Sequence, residues 1–256
     1  MNSSAMWRAA GGLYRNNFAP LLLLFLPLAV AFLIAVAPLL ALPDQQIGVS
    51  GSTPSAFLLV LGFALVVIPM VVGGIGVAAS TLLLTDRIVG HRTTPTDAFR
   101  KVRPNLGPLI AAGLASTLLS LVLRQLLPPL EFFLRPMLYG PAILVQVITL
   151  EAMDLRNGLS RMGELLRKHI LRIFMFLFAV SMGASLLDIV LPGFATLGLT
   201  NVNNVAYFIV ASLIQVLVVV LTLPFVAATM LVAYFDLRAR KEDLNLEQLA
   251  TERAAL

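Results

Sequence analysis

Leu84-Thr85-Asp86-Arg87, Met153-Asp154-Leu155-Arg156 and Phe235-Asp236-Leu237-Arg238 close the second, fourth and sixth of six long apolar runs. An acid and an arginine therefore recur at one place in three successive units. The units also begin alike. Arg15-Asn16-Asn17-Phe18-Ala19-Pro20-Leu21 aligns with Arg103-Pro104-Asn105-Leu106-Gly107-Pro108-Leu109, and more loosely with Arg167-Lys168-His169-Ile170-Leu171-Arg172-Ile173. Such internal periodicity means that each unit is one supersecondary element unable to bury its apolar faces alone. The pattern predicts an all-α polytopic membrane protein of six transmembrane helices. These form three hairpin repeats, over about 6–87, 95–156 and 159–238, with a cytoplasmic tail over 239–256.

Composition supports the membrane class. The chain is 59% hydrophobic and only 12% charged, with a mean hydropathy of +0.94, whereas charged residues make up about a quarter of a soluble domain. Six windows approach or exceed the roughly 20 apolar residues that a span needs: 18–42, 56–85, 106–127, 136–153, 173–191 and 205–234. The second and sixth are longest, which predicts tilt, a kink near Pro69 or Pro224, or extension past the headgroups. The first run is longer than a secretory h-region and lacks a clean cleavage site, so it reads as an uncleaved helix. Without cysteine, disulfides, thiolate metal sites and cysteine nucleophiles are excluded.

Charge placement gives the orientation. Of the 18 Lys and Arg, only Arg124 and Arg135 fall on the side opposite the termini. This is the positive-inside signature, and it predicts cytoplasmic termini in a cell (inner) membrane. A pI near 10.1 therefore reports topology and contact with anionic lipid. No soluble basic face interleaved with aromatics is present, so nucleic acid is not an expected partner. The connections at 95–103 and 159–170 are amphipathic. Ala98, Phe99 and Val102 oppose Arg100, Lys101 and Arg103, while Leu159, Met162, Leu165, Leu166 and Ile170 oppose Arg161, Arg167 and Lys168. Both read as short cytoplasmic interfacial helices, apolar side down, with Thr94 or Thr96 able to cap the first. Arg100, Lys101, Arg103, Arg167 and Lys168 are the expected contacts to anionic headgroups.

Three further groups carry candidate chemistry. The recurring residues Asp86, Arg87, Asp154, Arg156, Asp236 and Arg238 suggest interhelical ion pairs around a pseudo-threefold axis, because residues two apart do not face each other on one helix. The competing reading is that they mark the water boundary. Glu151, the deepest carboxylate, with Gln146 on the same helix and Gln215 on the sixth, outlines a polar path for a proton or cation. Structural pairing of Glu151 is its alternative. His91 and His169 stand among cations with no second ligand at metal spacing, so neither a metal nor a cofactor is expected. No phosphate loop, nucleophile elbow or triad is present, so no enzyme activity is expected. The tail remains free to meet a protein partner, with Asn245 and Gln248 placed to cap a short solvated helix after Asp243.

The run Ala233-Tyr234-Phe235-Asp236-Leu237-Arg238, followed by Arg240-Lys241-Glu242 and Leu244-Asn245-Leu246-Glu247, resembles the closing signature of bacterial six-helix proteins. These are grouped as the glycerophosphoryl diester phosphodiesterase membrane domain family. Glu151 and Ala98-Phe99-Arg100 are similar too, whereas Arg161, Leu165 and Arg167 stand where an Arg-Ser-Trp cluster is often seen. In that family any catalysis belongs to a separate soluble barrel. The resemblance therefore implies a membrane part alone, without enzyme activity. The resulting expectation is a non-enzymatic membrane protein that organises lipids or partners. A small transporter or transporter subunit with a polar path near Glu151 is the alternative.

Overall fold

The computed structural model describes residues 3–40, 56–126, 140–180, 182–183, 204–244 and 246–254. Every regular element among them is helical. They are α1 (Ser3–Asn16), α2 (Phe18–Leu40), α3 (Ala56–Val89), α4 (Pro95–Val102), a 3₁₀ turn (Arg103–Asn105) and α5 (Leu106–Leu126). Then follow α6 (Gly140–Leu150), α7 (Leu155–Leu166), α8 (Ile170–Val180), α9 (Asn204–Glu242) and α10 (Leu246–Ala254). Val71–Val89 of α3 and Val216–Glu242 of α9 are long and apolar enough to cross a membrane, and α1 with α2 would make a third span joined by a 79° bend. The protein is thus a helical membrane protein. The expected outer connections 43–55 and 128–135 and the segment 192–203, and with them Arg135, lie outside the described residues.

Helices α3 and α9 form the centre. α3 packs against α2, α5, α6 and α9, and α9 also touches α1, α2 and α6. Ala78, Ala79, Leu82 and Leu83 of α3 and Ala227, Ala228, Met230 and Leu231 of α9 are buried. Paired alanines on each helix let the backbones approach closely, which matters because lipid supplies no hydrophobic drive between helices. The tightest approach is at Gly76, where a Cβ would lie 3.0 Å from the Phe25 ring of α2. Gly158 seats α7 on α6 in the same way, its absent Cβ 3.1 Å from Ile148.

The repeated entry motif sits at one kind of junction each time. An amphipathic helix ends, the chain turns, and an apolar helix begins: α1 to α2 at Asn17, α4 to α5 through Arg103–Asn105, and α7 to α8 through Arg167, Lys168 and His169. At the first, the buried Asn17 side chain donates to Leu13 O (2.8 Å) and accepts from Arg87 Nη1 (2.7 Å), which fixes the bend against the end of α3. The acids are not alike in local structure. Asp86 and Asp236 stand within α3 and α9, whereas Asp154 follows a break at residues 151–153, with Ala152 at φ 50°, and caps α7 through Asn157 N–H (2.9 Å). Thr94 is the cap of α4, in a reciprocal box with Asp97 and with Pro95 at the first helical position. Bonds from the Thr94 hydroxyl and backbone N–H hold the Asp97 carboxyl below its ordinary range.

Two expectations change here. The apolar face of α4 is covered by protein: Ala98 and Val102 are buried against the bundle, and α4 packs on α3 and α2. Of the apolar side chains expected to face the membrane from α7, only Leu165 is fully buried, while Leu159 and the following Ile170 are exposed. Amphipathicity shows that a face must be buried, and in α4 a neighbouring helix buries it. The tail is likewise no free arm. Residues 239–242 complete α9, and α10 docks on α3 with Leu249 4% exposed.

Candidate functional site

Tyr234, on the buried face of α9, donates its phenol to Glu151 Oε1 at 2.8 Å. Arg161 of α7 reaches Glu151 Oε2 through Nε at 2.8 Å and bonds Glu242 with its other arm. Arg238 meets Glu242 one turn along at 2.8 Å, and its guanidinium lies 5.9 Å from the centre of the Tyr234 ring. Three helices are therefore joined by two carboxylates, two guanidiniums and one phenol. Arg161 is only 20% exposed and Glu151 12%. Burial works against the Arg161 charge, but Glu151 and Glu242 overcome it and raise its pKa above the usual guanidinium value. Chemically this is a saturated lock, because each charge meets its opposite.

Among the described residues, the other recurring residues do not pair with one another. Asp86 is buried and accepts from Lys101 Nζ (2.7 Å) and the Thr93 hydroxyl. Asp236 accepts from Arg240 (2.9 Å) and lies 3.6 Å from Arg172 of α8. Arg87 meets the neutral amide of Asn17, and Arg156 is exposed with no ion pair among the described residues. Among the expected headgroup contacts, Arg100, Arg103, Arg167 and Lys168 are exposed and unpaired among the described residues, whereas Lys101, half exposed, is turned to Asp86. Tyr234, Glu242, Asn17 and Thr93 were not singled out as site residues by the sequence. The spacings of Arg238 to Glu242 and of Asp236 to Arg240 are i,i+4 and were legible.

Gln146 is fully buried between α6 and α3. Its Oε1 accepts from the Thr81 hydroxyl, which also has the Val77 carbonyl in reach at 2.9 Å, but its Nε2 has no partner among the described residues. Thr85 and Thr149, also buried, have hydroxyls without partners among the described residues. The side chain of Gln215 lies outside the described residues. A buried donor left unbonded costs about 1–3 kcal/mol. Gln146→Leu, near in volume, is therefore expected to raise the thermal midpoint of the purified protein or leave it unchanged. A clear fall would mean that the amide serves a bound polar species.

Compared with known proteins, the chain matches no family model, no curated protein and no solved structure. Its function is therefore argued from its own residues.

Proposed function

We propose that this is a non-enzymatic multi-pass protein of the cell membrane, with six spans in three hairpins and both termini cytoplasmic. Its basic inner face gathers anionic lipid headgroups, so that the protein organises lipid and, through that face or the tail, a partner protein. The observation that carries the reading is the state of the cations. Arg100, Arg103, Arg167 and Lys168 are exposed and free of ion pairs among the described residues, while the carboxylates Glu151 and Asp86 are neutralised within the protein. With the apolar face of α4 on the bundle and Lys101 turned to Asp86, Arg100 is left exposed. Each surface cation attracts an anionic leaflet by about 1 kcal/mol before screening. The likeness of Tyr234 to Glu242 to the phosphodiesterase membrane domain family fits the same layout.

Two measurements test this. Reporter fusions at the C-terminus should be active only on the cytoplasmic side, and a tag reached solely from outside intact cells would overturn the topology. Neutralising Arg100, Arg103, Arg167 and Lys168 together should lower the ratio of anionic to zwitterionic lipid that copurifies, as measured by native mass spectrometry. An unchanged ratio would confine these charges to setting orientation.

A second reading, a small transporter, is favoured by one observation: Gln146, Thr85 and Thr149 carry unbonded buried polar atoms on facing helices. Polar atoms aligned this way would suit a solute or ion passing between α3 and α6. Against it, Glu151, the charge such a path would use, is held by Arg161 and Tyr234.

A further inference from the structure

The segment joining α3 to α4 is folded by two motifs back to back. Gly90, at φ 95°, ends α3: His91 N–H bonds Asp86 O at 2.8 Å and Gly90 N–H bonds Arg87 O at 3.2 Å, the paired bonds of a Schellman turn. Four residues later the box of Thr94 and Asp97 starts α4. Between them lies a pocket of about 550 Å³ lined by Arg87, His91, Arg92 and Thr94 among others, within the size range of ligand sites. Of the two carboxylates flanking it in sequence, Asp86 is turned inward to Lys101 and Thr93, and Asp97 is engaged by the Thr94 hydroxyl and backbone N–H. Among the described residues neither His91 nor Arg92 has a side-chain partner, and Arg87 touches only the neutral Asn17 amide. The pocket opens just beyond Val89, the last residue of a candidate span.

We propose that this pocket binds a phosphate-bearing anion, with a phosphomonoester suited best. Two guanidiniums can each fork onto phosphate oxygens and the imidazole adds a single donor, while the Thr94 hydroxyl is already given to Asp97. A phosphomonoester carries up to two charges near neutral pH, which matches the two arginines. The source is a lipid headgroup or a free phosphate compound. The inference sharpens the lipid-organising reading and rests on it only for the lipid source.

The test uses the full chain in neutral detergent, with phosphatidic acid, phosphatidylglycerol and inorganic phosphate as probes. Phosphatidic acid should bind more tightly than phosphatidylglycerol. The H91Q/R92Q variant, whose two side chains are exposed and bond to nothing, should lose roughly tenfold or more of that affinity, the equivalent of one charge-assisted hydrogen bond. Gly90→Ala, which strains the turn without touching a charge, should weaken binding as well. Millimolar inorganic phosphate that displaces the lipid would identify a soluble ligand; failure to displace it would identify the headgroup. Unchanged affinity in H91Q/R92Q overturns the pocket. Loss confined to the variant lacking Arg100, Arg103, Arg167 and Lys168 overturns the pocket and leaves the broader reading standing. Loss confined to H91Q/R92Q does the reverse.

Discussion

Arg161→Ala is expected to lower the thermal midpoint of the purified protein by roughly 6–12 °C. Removing one partner of a largely desolvated ion pair costs about 3 kcal/mol or more, because the other charge stays buried without compensation. Here Glu151 would keep only the phenol of Tyr234, and Glu242 only Arg238. For a chain of this size each kcal/mol moves the midpoint by about 2–4 °C. Arg161→Lys keeps the charge but lacks the fork that spans two carboxylates, so it should lose about half as much. The control is Arg156→Ala, in the first turn of α7 and exposed, which should change stability by no more than about 0.5 kcal/mol. Adding Glu151→Gln to Arg161→Ala should recover part of the loss, since the orphaned charge is then gone. A midpoint that ignores Arg161 would show that α6, α7 and α9 are held by packing alone.

What was legible in the sequence follows from how local each signal is. Apolar run length and the placement of cations act residue by residue, so the bounds of α2 and α5 and the start of α9 are reproduced within about two residues. The cap of α4 was legible only as Thr94 or Thr96, and the structure selects Thr94 through its box with Asp97. Partners distant in the chain were not. Nothing near Glu151 names Tyr234, which lies 83 positions away. The recurring acid and arginine drew attention to residues two apart, while the bonds within α9 run from Asp236 to Arg240 and from Arg238 to Glu242, one turn on. An amphipathic stretch declares a face to be covered without declaring the cover. For α4 it is α3 and α2, and for α10 it is α3. The pocket is not legible in the sequence, because His91 gains its significance from Arg87 and Arg92, which line the same pocket around the turn at Gly90.

Gly76→Leu and Gly74→Ala should separate by several kcal/mol although they lie two residues apart on one helix. At Gly76 the added Cβ meets the Phe25 ring at 3.0 and 3.1 Å and the Leu24 carbonyl at 3.5 Å. The ring is fully buried, so it cannot swing into lipid. Even alanine would require a shift of a few tenths of an ångström, and leucine would push α2 off α3. Overpacking of a tight core costs about 1–3 kcal/mol, and here the loss extends along the seam because close approach is what holds membrane helices together. At Gly74 nothing lies within 4 Å of the added atom, and replacing a helical glycine by alanine favours the helix by about 1 kcal/mol. One substitution should therefore destabilise and the other stabilise. The single tryptophan gives a second readout. Trp7 lies 5.2 Å from Phe176 and 6.0 Å from Phe225, ring centre to ring centre, and so reports whether α1 stays docked on α8 and α9. Since the bend at Asn17 ties α1 to α2, displacing α2 in Gly76→Leu should also shift Trp7 emission, while Gly74→Ala leaves it unchanged. Equal behaviour of the two variants would mean that α2 does not approach α3 at Gly76.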